Sequence, residues 1–390
     1  MKSFYILLVT SVFNAMDCQV IEKCQWSAHT TIETSNSQPP TYAVNLDQPA
    51  SERWKHIVAP RKEQILNFVN YIKEFVPSLF SYAVSTWLGM AVHKLPKPLD
   101  EEIIGIAKTL QMPIGDIMAC NIFYELEKLC TSIITTDDQG NIYHGRNLDL
   151  GVFMGWDLKK NSWKVAELLK PLTINVDFVL NGKVLFKSVQ FAGTVGIFTG
   201  VAPGKFSFSL NSRSSKELFA GPKSVITWLV SFEKKKFASL WARTVMEKAQ
   251  SYQHAKEMLS TEPLLAPVYY ILAGIKLNEG VIISRSNTES LNPVELSSTN
   301  WYLVQTNYDH WERAPFYDDR RTPTILCLNE IADNLKSNNG TDISQHSILY
   351  DVLSTIPIEN KATIYTAIMN AKSGTVDSYL RSCPGTCYPW

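Results

Sequence analysis

The 390-residue chain predicts an α+β fold, with helices, then antiparallel strands, then helices again. Three observations predict it. Apolar residues in the first third recur at three- and four-residue spacing; the period then switches to strand-like alternation punctuated by hairpin turns; and no strand–helix–strand rhythm of a βαβ fold follows. There is no internal repeat and no long linker, which favours one domain.

The elements follow in order. Lys2, the apolar run Phe4 to Phe13 and the exit Asn14-Ala15 read as a secretory signal peptide over about residues 1–17, with a buried N-terminal strand as the alternative. No later segment is apolar over the length a spanning helix needs. Residues 28–53 are polar and proline-containing, an irregular lead-in. Ile65, Phe68, Val69, Ile72, Phe75 and Val76 mark an amphipathic helix, and a second apolar stretch carries Phe80, Ala83, Val84, Trp87, Leu88 and Val92. Asp100-Glu101-Glu102 opens a helix to Leu110, acids suiting the dipole at its first turn. A further helix is expected from Ile114 to Leu129.

Thr131 to Thr136 is β-branched, Asp137-Asp138-Gln139-Gly140 is turn chemistry, and Asn141 to Arg146 resumes as a strand, giving a hairpin. Leu172 to Leu180 and Lys183 to Phe191 flank Asn181-Gly182, a strong hairpin signal. Gly193 to Gly200 and Lys205 to Asn211 read as two more strands, so an antiparallel meander is expected. Helical patterns return between Lys216 and Leu259. Strands around Tyr269 to Ile275, Gly280 to Ser284 and Trp301 to Thr306, helices Thr324 to Leu335 and Ser344 to Leu353, and a strand near Ala362 to Met369 complete the chain.

With 37 basic and 37 acidic residues, bulk charge gives no support to nucleic-acid binding, and an anionic surface would have to be met by a local patch. Seven cysteines (18, 24, 120, 130, 327, 383 and 387) leave at least one thiol unpaired in an oxidising compartment. Cys383 and Cys387 are close enough to close a small loop; a zinc site is the weaker reading, since no histidine lies nearby in sequence. Asn339-Gly340-Thr341 is a glycosylation sequon. Nothing in the sequence suggests a metal or organic cofactor.

If the hairpin loop is Asp137 to Gly140, Thr136 faces Asn141 and Cys130 lies opposite Asn147, with Arg146 and Asp149 as neighbours. An arginine beside a thiol favours the thiolate, and an aspartate can accept from an amine or orient the arginine. Spacing alone leaves open, and favours, a blander reading: a surface Arg146–Asp149 pair and a buried Cys130 at a helix end. His144 falls in the same hairpin and reads as a satisfied strand histidine rather than the base for Cys130. There is no Gly-x-Ser-x-Gly elbow, Walker loop or His-Glu-x-x-His motif.

Cys130-Thr-Ser-Ile-Ile134 followed by Tyr143-His144-Gly145-Arg146-Asn147-Leu148-Asp149 resembles the core of the acid ceramidase and N-acylethanolamine-hydrolysing acid amidase family. The likeness continues through Asn121 to Leu126, Leu169 to Thr173, Val304 to Asp309, Asp318 to Pro323 and Tyr350 to Thr355, and Cys383 to Trp390 leans toward the ceramidase branch. The resemblance implies an αββα sandwich of the N-terminal nucleophile hydrolases. It further implies a cut between Leu129 and Cys130, dividing a mostly helical segment (18–129) from a catalytic segment (130–390). The freed amine of Cys130 would serve as base for its own thiol, hydrolysing the amide of a ceramide, or of an N-acylethanolamine or other fatty amide. Arg146 and Asp149 would flank the nucleophile, Asn307 would donate to the oxyanion and Arg320 would support the site. Bridges Cys24–Cys327, joining the two pieces, and Cys383–Cys387, a saposin-type activator, and a lysosomal or secreted location are implied in the same way. One departure matters: the family carries Asn-Glu-Arg where this chain has Asn211-Ser212-Arg213, which raises a catalytically weakened lipid binder as a further reading. Phe75 to Trp87 is a candidate membrane-facing or substrate-covering stretch, with an ordinary core helix as the competitor.

Overall fold

The computed structural model describes residues 24, 38–75, 78–123, 129–152, 154–213, 227–229, 235–315, 317–337, 345–383 and 387. The expected signal peptide, Cys18 and the sequon at Asn339 lie outside the described residues.

The expected irregular lead-in contains strand β1 (Thr41–Asn45), which pairs in parallel with residues 175–179. A partner that distant leaves no local signature, which is why the composition of the stretch reads as loop. Helices α1 (Lys62–Lys73), α2 (Ser78–Ala91), α3 (Leu99–Leu110) and α4 (Ile114–Phe123) follow, α1 turning Ile65, Phe68 and Val69 inward. The last of them is described as far as Phe123, and residues 124–128 lie outside the described residues. Leu129 and Cys130 instead open β2 (Leu129–Thr136), paired with β3 (Ile142–Asp149), so the ladder claims residues whose apolar pattern also suits a helix.

The hairpin register differs from expectation by one residue: Thr136 pairs with Ile142 and Cys130 with Leu148. The loop takes in Asn141 because Asp137 closes it. Its carboxylate accepts from the amides of Gln139 (3.0 Å) and Asn141 (2.7 Å) and from Asn141 Nδ2 (2.9 Å).

A short ribbon, β4 (Trp156–Asp157) and β5 (Ser162–Trp163), and helix α5 (Lys164–Leu169) lead into the meander. Its first strands are β6 (Thr173–Leu180), β7 (Lys183–Phe191), β8 (Thr199–Ala202) and β9 (Phe206–Ser212). Asn181 and Gly182 both carry positive φ, 51° and 72°, as a tight two-residue hairpin requires. Gly193 to Ile197 is not strand. Asn121 of α4 takes its backbone groups, donating to Gly193 O (3.1 Å) and accepting from the Val195 amide (2.8 Å).

Helices α6 (Ala238–Lys248) and α7 (Tyr252–Thr261) occupy the later part of the expected helical region. Strands β10 (Val268–Ala273), β11 (Gly280–Arg285), β12 (Ser290–Glu295) and β13 (Tyr302–Gln305), helices α8 (Arg321–Ser337) and α9 (Gln345–Ser354), and strands β14 (Thr363–Asn370) and β15 (Thr375–Leu380) complete the chain. Neither β12 nor β15 is legible from pattern; β12 is a mostly exposed edge strand containing Pro293.

An eight-stranded sheet runs β1-β6-β7-β8-β9-β10-β11-β12, and a five-stranded sheet runs β13-β2-β3-β14-β15. They pack face to face, β2 and β3 on β9 and β14 on β8. Helices α6 and α7 cover the outside of the large sheet and α8 and α9 the outside of the small one, giving four layers, αββα. Helices α1 to α4 form an additional layer beside them. The largest core spans this helical layer and the large sheet; a second lies between the small sheet and α8 and α9, around Ile133, Leu328 and Leu349.

Buried Glu102 of α3 links the helical layer to the sandwich. Its carboxylate accepts from Arg53 (2.9 Å), Trp54 Nε1 (2.7 Å) and Arg243 of α6 (3.2 Å). Disulfides join Cys24 to Cys327 and Cys383 to Cys387.

Candidate active site

Strand alternation decides what the start of β2 can do. Successive side chains point to opposite faces, so Cys130 and Ser132 enter the space between the sheets while Thr131 and Ile133 face α8 and α9. The same rule places Arg146 and His144 of β3 between the sheets and Asn147 and Asp149 on the outer side.

On the inner side, Arg146 Nη2 donates to Cys130 Sγ at 2.8 Å. The guanidinium is itself held: Nη1 donates to Phe198 O (2.7 Å) and Thr199 Oγ1 (2.9 Å), and Thr199 Oγ1 lies 2.8 Å from Tyr365 OH. Cys130 and Arg146 are both fully buried. A cation fixed on sulfur stabilises negative charge there, since a low-dielectric surrounding offers no competing water.

On the outer side, Arg320 is the hub. It forms a two-pronged pair with Asp318 (2.6 and 3.0 Å) and donates to Asp149 Oδ2 (3.0 Å), Thr131 Oγ1 (3.2 Å) and Asn307 Oδ1 (2.8 Å). Asn307 Oδ1 also accepts from the Cys130 amide at 2.7 Å, and Asn307 Nδ2 donates to Ser212 O at 2.8 Å. The backbone nitrogen of Cys130 is thereby tied to the Arg320 cluster on one side, while its sulfur is tied to Arg146 on the other.

Burial pushes the Asp149 carboxyl up to about 6, against the pull of Arg320. Burial alone would lower Arg320, but Asp318 and Asp149 outweigh it and hold the guanidinium firmly charged.

The five residues expected at the site therefore converge: Cys130, Arg146, Asp149, Asn307 and Arg320 form one connected, buried set. This overturns the surface-pair reading that spacing favoured, because Arg146 and Asp149 are buried and do not pair with each other; they lie on opposite faces of β3. His144 is no base for the thiol. Its nitrogens lie 3.1 Å from Ser207 Oγ and 2.8 Å from Ser209 Oγ, and burial pushes it down to about 3. Ser212 takes part through its backbone carbonyl. The sequence reading missed Thr199, Asp318 and Asn360, the last of which reaches Asp149 Oδ2 at 3.4 Å. Only Asp318 left a trace in sequence, two positions before Arg320 in a charged run.

A buried thiol under a fixed guanidinium thus lies at the first residues of an inner strand of the αββα sandwich. Comparisons with known proteins give this arrangement a family. Residues 130–323 match the family of linear amide C–N hydrolases, choloylglycine hydrolase family, and residues 37–97 match the beta subunit of N-acylethanolamine-hydrolyzing acid amidase. Acid ceramidases of Pan troglodytes and Homo sapiens are each 42% identical over 358 residues, covering 90% of this chain and 88% of theirs. The solved structure of a Caenorhabditis elegans N-acylethanolamine-hydrolyzing acid amidase ortholog is 32% identical with a TM-score of 0.52, covering 65% of this chain and 100% of its own. The chain belongs to the acid ceramidase family of linear-amide C–N hydrolases.

Proposed function

We propose that this protein hydrolyses the amide bond of ceramide to sphingosine and a fatty acid, with Cys130 as nucleophile, after the chain is cut between Leu129 and Cys130. One observation carries the reading: Cys130 has its sulfur on Arg146 and its nitrogen on Asn307. Cleavage would turn that nitrogen into a free amine beside its own thiol, the N-terminal form of nucleophile-plus-base activation. The match to the amide hydrolase family beginning at residue 130 supports this division.

The amine then takes the thiol proton as sulfur attacks the amide carbonyl. Breakdown returns that proton to the departing sphingoid amine and leaves an acyl thioester on Cys130, which water hydrolyses to the fatty acid and the restored thiol. Arg146 holds negative charge on sulfur, and Arg320 with Asp318 holds the Asn307 carboxamide at the reacting nitrogen. Asp149 anchors Arg320 from the other side.

The two pieces would remain joined by Cys24–Cys327 and by Glu102–Arg243. Half-exposed Phe75 and Trp87, with exposed Met90, support a lipid-facing surface on the helical layer, suited to an anionic membrane or a saposin-type activator in a lysosomal or secreted setting. The nematode amidase structure favours one alternative, an N-acylethanolamine or other fatty-amide substrate. The serine at 212, where the resemblance implies glutamate, favours the other, a weakened lipid binder.

The test is to hold the purified chain at acidic pH, sequence its N-termini, and compare turnover of ceramide and palmitoylethanolamide. A new terminus at Cys130 with faster ceramide turnover is expected. Faster palmitoylethanolamide turnover would move the assignment to the amidase branch, and lipid binding without turnover of either would leave the weakened binder.

A further inference from the structure

Between the two sheets runs a ladder of buried polar groups that the reaction does not use directly. Ser207 Oγ lies 3.1 Å from His144 Nδ1, His144 Nε2 lies 2.8 Å from Ser209 Oγ, and Ser209 Oγ lies 2.9 Å from Ser132 Oγ. Ser132 Oγ donates to Asn211 Oδ1 at 2.9 Å. The Asn211 amide then donates to two carbonyls, Gln305 O (2.9 Å) and Thr306 O (3.2 Å), immediately before Asn307. Every side chain in the ladder is buried.

A count of protons gives the ladder a direction. The single hydroxyl hydrogen of Ser132 is spent on Asn211, so Ser209 must donate to Ser132. Ser209 then accepts from His144 Nε2–H, which leaves His144 Nδ1 as an acceptor facing the Ser207 hydroxyl at 3.1 Å, with Ala273 O the hydroxyl's longer alternative at 3.5 Å. His144 stays neutral under burial, in keeping with one donating and one accepting nitrogen. The two carbonyls settle the orientation of the Asn211 carboxamide: its NH2 must face them, so its oxygen faces Ser132, whose hydroxyl holds it. The turned-over amide would place oxygen against both.

We propose that Asn211 is a positioning residue for the amidase reaction, its oxygen anchored by Ser132, that sets the Gln305–Thr306 backbone and thereby the Asn307 carboxamide against the nitrogen of Cys130. The inference rests on the proposed amidase reading and adds to it a residue that touches neither substrate nor nucleophile. A displacement near 1 Å at a reacting group costs about a hundredfold in rate, so the effect belongs in kcat and not in KM.

The experiment compares Asn211→Ala, Ser132→Ala and Ser207→Ala in the full chain. It measures kcat and KM on whichever of ceramide and palmitoylethanolamide the unaltered protein hydrolyses, with Tm and the rate at which the Cys130 terminus forms. Expected are kcat losses of about 10–100-fold for Asn211→Ala and about tenfold for Ser132→Ala, with KM held within about twofold. Ser207→Ala interrupts the same ladder at its far end and should lower Tm while leaving kcat within about threefold. Equal kcat losses in all three, a loss in KM alone, or an unaffected Asn211→Ala would each overturn the proposal. Should Asn211→Ala not accumulate as folded protein, Ser132→Ala carries the test, and Ser132→Thr, which keeps the hydroxyl, must recover kcat. Should the unaltered protein hydrolyse neither amide, the proposed function fails while the positioning role is still read from the rate of terminus formation, slowed in Asn211→Ala and not in Ser207→Ala.

Discussion

Two buried cysteines lie ten positions apart in the chain, Cys120 in the helical layer and Cys130 between the sheets. Cys120 faces an apolar cavity lined by Val69, Ile72, Val84 and Leu88, and burial together with Asp116 pushes its thiol up to about 12. Cys130 has lost its water just as completely but has gained Arg146 on its sulfur and Asn307 on its nitrogen. Withdrawal from water is common to both; only the fixed polar partners separate the proposed nucleophile from a packing residue.

The largest test of that contrast exchanges each sulfur for hydrogen. Cys130→Ala should abolish both the new terminus and turnover, a loss beyond about 1000-fold. Cys120→Ala should keep turnover within about twofold and lower stability by about 1–2 kcal/mol in a denaturant melt. Equal losses would erase the distinction.

Next comes the cation. Arg146→Met gives Cys130 surroundings resembling those of Cys120 and removes one of the donors to Phe198 O and the guanidinium bond to Thr199 Oγ1. Turnover should fall about 100- to 1000-fold, as removal of a preorganised charge-stabilising donor does. A loss under tenfold would mean that the amine, not the arginine, governs the sulfur.

A smaller effect sharpens the outer side of the site. Asp149 sits at about 6 rather than its ordinary 3.8, so the native state holds its proton more tightly than the unfolded chain does. That contribution is complete below the ordinary value and is lost as pH rises through about 6, at most on the order of 3 kcal/mol. Melts from pH 3.5 to 7 should therefore fall less steeply in Asp149→Asn than in the unaltered protein; matching slopes would remove Asp149 as the titrating group.

The smallest effect concerns the link between the two regions. After cleavage, reduction of Cys24–Cys327 should separate the pieces in denaturing electrophoresis but not in gel filtration under native conditions, since Glu102–Arg243 and the β1–β6 pairing persist.

Local pattern carried most of this architecture. Helix α1, the Asn181-Gly182 hairpin and the meander were legible because amphipathic spacing and turn chemistry are properties of short windows. Strand β1 was not, since its reason for being extended is β6, far along the chain. The hairpin register escaped by one residue because three bonds to the Asp137 carboxylate enlarge the loop, and composition does not count such bonds. At the site, family resemblance singled out Cys130, Arg146, Asp149, Asn307 and Arg320, while physics from spacing reached only the first three. Which of Arg146 and Asp149 shares the face of Cys130 was visible to neither, because it depends on the true register. Thr199 and Asn211 act through a carbonyl or another side chain, and nothing in their surroundings in sequence announces that.

The parallel pairing of β1 with β6 has a consequence for how the molecule tolerates being made in parts. The five-residue edge strand β1 belongs to the segment that precedes the proposed cut, so a chain begun at Cys130 would have the longer β6 as its edge, with the groups of residues 175–179 newly opened to solvent as a seam. Such a seam seeks another strand, and the nearest supply in a concentrated solution is a second molecule. The helical segment thus doubles as a guard against self-association, needed for as long as the protein stays folded and not only until the bond is broken.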